Sequence, residues 1–161
     1  MTVPREIGSI YDLEKERYYS RDDLLFLIED RVSFYLRLEK PHALRVLLRY
    51  SNNVEFFLDV LAVWATGGCV IPVDPEIKDA ELLNICEFAS VDAVVSDQNV
   101  CLSTAQTFKQ KKIMLLSLPN LHLAEKSKKF NNYSMESSED EALILFTSGS
   151  TGQPKGGCSY F

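Results

Sequence analysis

Apolar positions along this 161-residue chain switch between two periods, and the switches mark out its elements. Leu24, Ile28, Val32 and Tyr35 recur at steps of four, four and three, the stripe of an amphipathic helix. Ser20 stands ahead of it as an N-cap. Asp22 and Asp23 fall in the first turn, where negative charge meets the positive end of the helix dipole. This helix ends before Pro41. Residues 1–19 are polar and rich in tyrosine (Tyr11, Tyr18, Tyr19), and they read as an irregular lead-in with a short strand at 17–19. Residues 43–48 form an apolar run of strand length. Asn52 or Asn53 then caps a second helix, whose stripe is Val54, Phe57, Leu58, Leu61, Ala62 and Ala65. Phe56, Val60, Val63 and Trp64 populate its other side, so this helix is predicted to be buried on more than one face. Gly67-Gly68 stops it, Cys69–Val73 is the next strand, and Asp74-Pro75 turns the chain out.

That strand–helix–strand unit repeats. Leu82, Ile85, Cys86 and Ala89 mark a helix, 91–95 a strand, 100–110 a weaker helix and 113–116 a further strand. Alternation of this kind predicts an α/β fold, a partial and mostly parallel sheet with helices on both faces. The chain divides as one incomplete domain. Residues 1–40 are lead-in and first helix, and 41–116 are the repeated units. Residues 117–140 are a polar connection carrying Lys126, Lys128, Lys129, Glu136, Glu139 and Asp140, and 141–161 are a last strand and its loop.

The last segment holds the strongest chemical signal. The apolar strand 142–146 feeds Thr147-Ser148-Gly149-Ser150-Thr151-Gly152-Gln153-Pro154-Lys155-Gly156. Glycines 149, 152 and 156 permit positive φ and close approach of backbone to a ligand. Successive N–H groups in such a loop form a concave anion site. Thr147, Ser148, Ser150 and Thr151 add hydroxyl donors, Lys155 adds a mobile point charge suited to phosphates, and Pro154 stiffens the turn before it. A Gly/Ser linker is the bland alternative, but linkers seldom join an apolar strand to Pro-Lys-Gly. The loop is not a Walker A motif, which needs Gly, four residues, then Gly-Lys-Ser/Thr. Here Pro154 follows Gly149 by five, and Lys155 precedes Gly156.

Composition narrows the class. Hydrophobic residues make up 46%, enough for a core, and a net charge of −6 with pI near 5.0 argues against general nucleic-acid binding. Cys69, Cys86, Cys101 and Cys158 show no C-x-x-C and no Cys/His cluster, so neither a metal site nor a disulfide framework is expected. Three of the four lie in apolar runs, as small buried hydrophobes do. No basic region followed by an apolar core opens the chain, and no apolar run approaches membrane-spanning length, so a cytoplasmic, reducing compartment is expected. His42 opens the 43–48 strand and His122 lies in the polar connection, both read as structural or surface residues, while Asp74 is read as a turn former.

Thr147 to Gly152 followed by Pro154-Lys155-Gly156 resembles the phosphate-binding signature of the adenylate-forming superfamily, which spans acyl- and aryl-CoA synthetases, luciferases and amino-acid adenylation domains. Asn53 with Glu55-Phe56, Leu61-Ala62, Gly67-Gly68 and Pro72-Val73-Asp74-Pro75 resemble further landmarks of that family, as do Tyr19-Ser20 and Asp23-Leu24 at its first helix. The resemblance implies a two-step reaction. A carboxylate attacks the α-phosphate of ATP, pyrophosphate leaves, and a thiol or amine takes the acyl group. It implies that Ser148, Ser150 and Thr151 donate hydroxyls, that Gly149 and Gly152 present N–H groups, that Lys155 approaches the terminal phosphates, and that Thr147 belongs to the same ATP phosphate site. ATP with Mg²⁺, a carboxylic acid, and CoA or a carrier-protein thiol are the implied small-molecule and protein partners, CoA being favoured as acceptor.

The family's adenine pocket, metal-holding residues and catalytic lysine match no position here, so no catalytic or metal residue is assigned. The chain reads as the front piece of such a ligase, inactive alone, with open sheet edges that invite self-association. The sequence departs from the family pattern at Gly157-Cys158-Ser159-Tyr160-Phe161. Two alternatives stand beside the CoA ligase reading: a fragment of an amino-acid adenylation domain, and a non-catalytic phosphate- or nucleotide-binding α/β module.

Overall fold

The stripe that begins at Leu24 forms helix α1 (Arg21–Leu36), and its start is closed from both directions. Ser20 Oγ accepts from Asp23 N at 3.2 Å, and the Asp23 carboxylate accepts from Ser20 N at 2.9 Å. This capping box satisfies two donors that a helix start leaves free. Before it, β1 (Ile10–Asp12) and β2 (Arg17–Tyr19) pair antiparallel, so residues 10–19 are a hairpin, and the lead-in carries a strand its sequence did not announce. Three-residue strands are too short to show an alternation. The turn is instead built by Asp12, whose Oδ1 accepts from Glu14 N and Lys15 N at 3.0 Å each. The structure is a computed structural model describing residues 7–38, 40, 43–51, 53–117, 141–147 and 155–160. The connection was expected over 117–140, but Ser117 ends a strand (Met114–Ser117); the rest of that connection, both histidines and most of the 147–156 segment lie outside the described residues.

The repeated units appear in the predicted order: β3 (Arg45–Arg49), α2 (Val54–Ala65), β4 (Cys69–Val73), α3 (Asp79–Phe88), β5 (Ala93–Ser96), α4 (Leu102–Gln110) and β6 (Met114–Ser117). Two strands follow, β7 (Glu141–Thr147) and β8 (Lys155–Tyr160). Asn53 is the α2 cap, its Oδ1 accepting from Phe56 N at 3.2 Å. The sheet order is β6-β5-β3-β4-β7-β8, parallel from β6 through β7, with β8 antiparallel at the end.

Strand alternation sorts the core into two layers. Val46, Leu48, Val70, Ala93 and Val95 face α1 and α2, while Leu47, Cys69, Ile71, Val94 and Ile144 face α3 and α4. The chain steps from β3 to β4 through α2, then reverses past β3 to β5 and β6. A right-handed crossover that reverses direction must put its helix on the opposite face, which is where α3 and α4 lie. Each fully buried aliphatic side chain in these layers contributes about 1.5–3 kcal/mol. Cys69 and Cys86 behave as buried hydrophobes, whereas Cys101 is exposed at the start of α4.

The Gly67-Gly68 stop has a steric cause at each position. Gly67 takes φ +75, and a Cβ on Gly68 would meet Leu44 O and Val63 Cγ1, each at 2.8 Å. Gly68→Ala should therefore lower stability by about 1–3 kcal/mol. Gly8→Ala, with nothing within 4 Å of the added carbon, should stay within about 0.5 kcal/mol. Paired urea titrations read the contrast, and equal midpoints would contradict this packing.

A charged network lies inside the α1–α2 layer. Arg31 donates to Asp59 Oδ2 at 2.7 Å and to Glu55 Oε2 at 2.5 Å. Tyr35 donates to Asp59 Oδ1 at 2.9 Å, and Tyr50, just past β3, donates to Asp59 Oδ2. Lys15 in the hairpin turn reaches Glu55 Oε1 at 3.0 Å. The network thus ties hairpin, α1, α2 and the end of β3 together. Among the described residues no helix is long and apolar enough to cross a membrane.

Candidate functional site

The strand expected at 142–146 is the middle of β7. It lies beside β4, with Val70 opposite Leu143, and runs parallel to it. Its end at Phe146-Thr147 therefore emerges on the same edge of the sheet as Val73 of β4, Arg49 of β3 and Ser96 of β5, and as Asp74, Tyr50 and Asp97 just past those strands. In open α/β sheets this carboxyl edge is where ligands bind, close to strands whose connections leave toward opposite faces. Here β3 leads to α2 on one face, while its neighbours β4 and β5 lead to α3 and α4 on the other.

Both ends of the glycine-rich segment are strand residues. Thr147 is directly opposite Lys155, and the ladder continues Phe146↔Gly156, Leu145↔Gly157, Ile144↔Cys158 and Leu143↔Ser159. The segment is thus the connection of an antiparallel hairpin. Thr147 and Lys155, two of the residues assigned to phosphate, stand at paired positions at its mouth. Ser148, Gly149, Ser150, Thr151 and Gly152 lie outside the described residues. Sequence reasoning took 142–146 as a strand feeding a loop and stopped there. The returning strand β8 begins Lys-Gly-Gly, a composition that carries almost no strand signal.

β7 is held from both faces. Ile144 packs into the α3–α4 layer and Leu143 against the α1–α2 layer. Phe146 meets Phe88 of α3 edge-on, centroids 5.8 Å apart at 80°, immediately before Thr147. At the other end Arg45 Nη2 and Glu141 Oε2 pair at 2.5 Å, and Trp64 Nε1 donates to Ala142 O at 2.8 Å. None of these supports was legible beforehand, because each joins residues tens of positions apart.

Other charged groups at the carboxyl edge hold the scaffold itself. Arg49, at the end of β3, donates to Pro75 O at 2.9 Å and Ile77 O at 3.0 Å, and its Nη1 lies 3.5 Å from Asp79 Oδ1. Cys101 N donates to Asp79 Oδ2 at 3.2 Å, and hydrogen bonding from Cys101 holds the Asp79 carboxyl below the usual carboxylate range. Asp79 thus occupies the start of α4. Asp97 Oδ2 accepts from Ser51 N at 2.9 Å and Asn53 Nδ2 at 3.3 Å. Asp74 Oδ1 accepts from Glu76 N at 2.8 Å, the turn role its sequence position suggested. No group of three or more His, Cys, Asp or Glu residues that could hold a metal ion occurs among the described residues.

By sequence the connection between β7 and β8 is rich in glycine and hydroxyls, and Lys155 is paired with Thr147 where it begins and ends; residue types of this kind suit charge neutralisation on a polyphosphate. The sequence profile of the family described as "AMP-binding enzyme" matches residues 30–158. The chain is 26% identical over 168 residues to a component of the mycosubtilin synthase of Bacillus subtilis, covering 95% of this chain and 6% of that protein. It is 28% identical over 121 residues to malonate–CoA ligase of Arabidopsis thaliana, covering 70% and 20% respectively. The solved structure of ATP-bound MatB from Rhodopseudomonas palustris superimposes with a TM-score of 0.77 at 21% identity, over 91% of this chain and 30% of that one. The chain thus spans a small part of each of these proteins.

Proposed function

The chain belongs to the AMP-binding enzyme family, and on that footing we propose that the 148–154 loop, with Thr147 and Lys155 at its ends, holds the β- and γ-phosphates of ATP during carboxylate activation. A carboxylate oxygen bonds to the α-phosphorus, the bond from that phosphorus to the bridging oxygen of the β-phosphate breaks, and pyrophosphate departs. The loop's part is electrostatic. Ser148, Ser150 and Thr151 hydroxyls, the N–H groups of Gly149 and Gly152, and the Lys155 ammonium take up the charge that grows on the leaving group. In the proposed second step of the larger enzyme a thiol, of CoA or of a carrier protein, loses its proton and its sulfur bonds to the acyl carbon, the bond from that carbon to the phosphate oxygen breaks, and AMP leaves.

The observation that carries this reading is the pairing of Thr147 with Lys155 at the carboxyl edge of the sheet. It puts the one lysine of the segment where both strands enter the loop. Calorimetric titration of the chain with MgATP, and separately with pyrophosphate, tests it. Lys155→Ala should weaken both by roughly 10- to 100-fold, the range of one hydrogen bond to a charged group. Equal affinities for Lys155→Ala and the unmutated chain would rule the loop out as the phosphate site.

A further inference from the structure

We propose that Trp64 is a positioning residue for the phosphate loop, acting through a one-residue bulge in β7. The proposal rests on the loop reading above and adds to it the device that sets which residues close the loop. The β7–β8 ladder is regular from Thr147↔Lys155 to Leu143↔Ser159, and then Glu141 is opposite Tyr160. Two steps along β7 therefore match one along β8, and Ala142 is the extra residue. A bulge of this kind fixes the pairing on either side of it. The Ala142 carbonyl is the acceptor of the Trp64 indole N–H at 2.8 Å. The neighbouring Glu141 is tied to Arg45 of β3 at 2.5 Å. The bulge is thus gripped by a helix and a strand that lie outside the hairpin.

An outside grip is needed because the hairpin's own side chains specify its register weakly. β7 reads Ala142-Leu143-Ile144-Leu145-Phe146, apolar at every position, so it shows no alternation that would choose a face. Opposite it, β8 opens with Gly156-Gly157, and glycine-rich strands are prone to slip. A slip of one residue takes Lys155 away from Thr147 and turns every side chain of the slipped strand to the other face. Trp64 is well placed to prevent this. It sits in the last turn of α2, whose Asp59 is hydrogen-bonded to Arg31, Tyr35 and Tyr50, so the indole is presented from a helix that this network ties to α1 and the end of β3 and not to the hairpin strands.

Cross-strand disulfides read the register without any nucleotide. Leu145 is 50% exposed and opposite Gly157. A Leu145→Cys/Gly157→Cys variant, with Cys158 retained, can bridge 145 to 157 in the observed register or 145 to 158 in the slipped one. Peptide mapping after mild oxidation gives the ratio. Trp64→Phe keeps an aromatic ring in place and removes the N–H. It should raise the 145–158 share about fivefold, the equivalent of one ordinary hydrogen bond. Trp64→His, which retains a ring N–H, should restore much of the original ratio, and it serves as the working variant if Trp64→Phe fails to fold.

The second arm is MgATP affinity in the chain without engineered cysteines. Trp64→Phe should weaken it several-fold, and adding Trp64→Phe to Lys155→Ala should weaken it little further, since both act on one element. An unchanged bridge ratio in Trp64→Phe overturns the proposal whatever the nucleotide result. A shifted ratio with undiminished MgATP affinity, where Lys155→Ala does diminish it, overturns the positioning role. Loss of effect for Lys155→Ala itself overturns the underlying loop reading, and it is told apart because the bridge ratio is measured with no nucleotide present.

Discussion

Asp59→Ala is expected to cost the fold about 3–5 kcal/mol, the usual penalty for leaving one partner of a buried ion pair uncompensated. Asp59 has 0% exposure and Arg31 1%. Its carboxylate accepts from the Arg31 guanidinium and from two phenols, Tyr35 and Tyr50. Removing it strands three buried donors at once. Glu55 continues to neutralise Arg31 from one side, but it has no described bond to either phenol. Against a total stability of about 5–15 kcal/mol for an ordinary domain, the loss leaves a chain that is folded only marginally. Urea unfolding followed by circular dichroism measures it, with Glu29→Ala on the exposed side of α1 as the control that should stay within about 0.5 kcal/mol. A loss below about 1 kcal/mol, the scale of one exposed pair, would mean that water reaches this network.

Alkali should unfold the protein steeply, for a reason rooted in the same residues. Burial, reinforced by the Asp59 charge, raises both the Tyr35 and Tyr50 phenols above their ordinary range. Burial alone pushes the Cys86 thiol up to about 12. The sign follows from proton counts. Above about pH 10 the unfolded chain has released its phenolic protons while the folded chain keeps them, so the unfolded state binds fewer protons and stability falls as pH rises. The stabilisation is complete below the unfolded-state values and is lost through the window between unfolded and folded values. Two phenols give a slope of about 2.7 kcal/mol per pH unit above pH 10, and the thiol adds its share from about pH 9. Urea midpoints at about pH 8, 10 and 11 report this slope. Tyr50→Phe should be less stable at the lowest pH and flatter across the series, because one of the linked protons is gone. A wild-type profile with no fall beyond about pH 10 would show that these phenols ionise freely in the folded protein.

The physical reasons why some features were readable and others were not can be seen residue by residue. The Leu24-Ile28-Val32-Tyr35 stripe, the Asn53 cap and the Gly67-Gly68 stop are local, so their signals sit within a turn or two of the structure they cause. The stripe of α2 also announced burial on several sides, and Leu58, Ala62 and Val63 are buried. The phosphate reading proposed for 147–156 could be drawn from sequence because glycines, hydroxyls and a lysine must lie close in sequence to share a loop. The strand at 17–19 was read, but its partner at 10–12, and with it the hairpin, was missed because a three-residue strand shows no period. The Arg31–Asp59 network was missed because α1 shows Arg31 only as one more charged position. Its burial is decided by Asp59, Glu55, Tyr35 and Tyr50 arriving around it.

By itself the amino-acid order determined the alternating units, their caps and stops, the α/β class with a largely parallel sheet, and the segment whose chemistry suits phosphate. Those properties follow from interactions between near neighbours, which propensity and period encode directly. Tertiary structure alone decided the order β6-β5-β3-β4-β7-β8 and the antiparallel return of β8. It also decided that Thr147 is opposite Lys155, and that the Trp64 indole meets Ala142 at the irregularity between Glu141 and Leu143. Register depends on which backbone groups find partners across the sheet. Strands as uniform as 142–146 and as glycine-rich as Lys155–Tyr160 leave that choice to the helix packed against them.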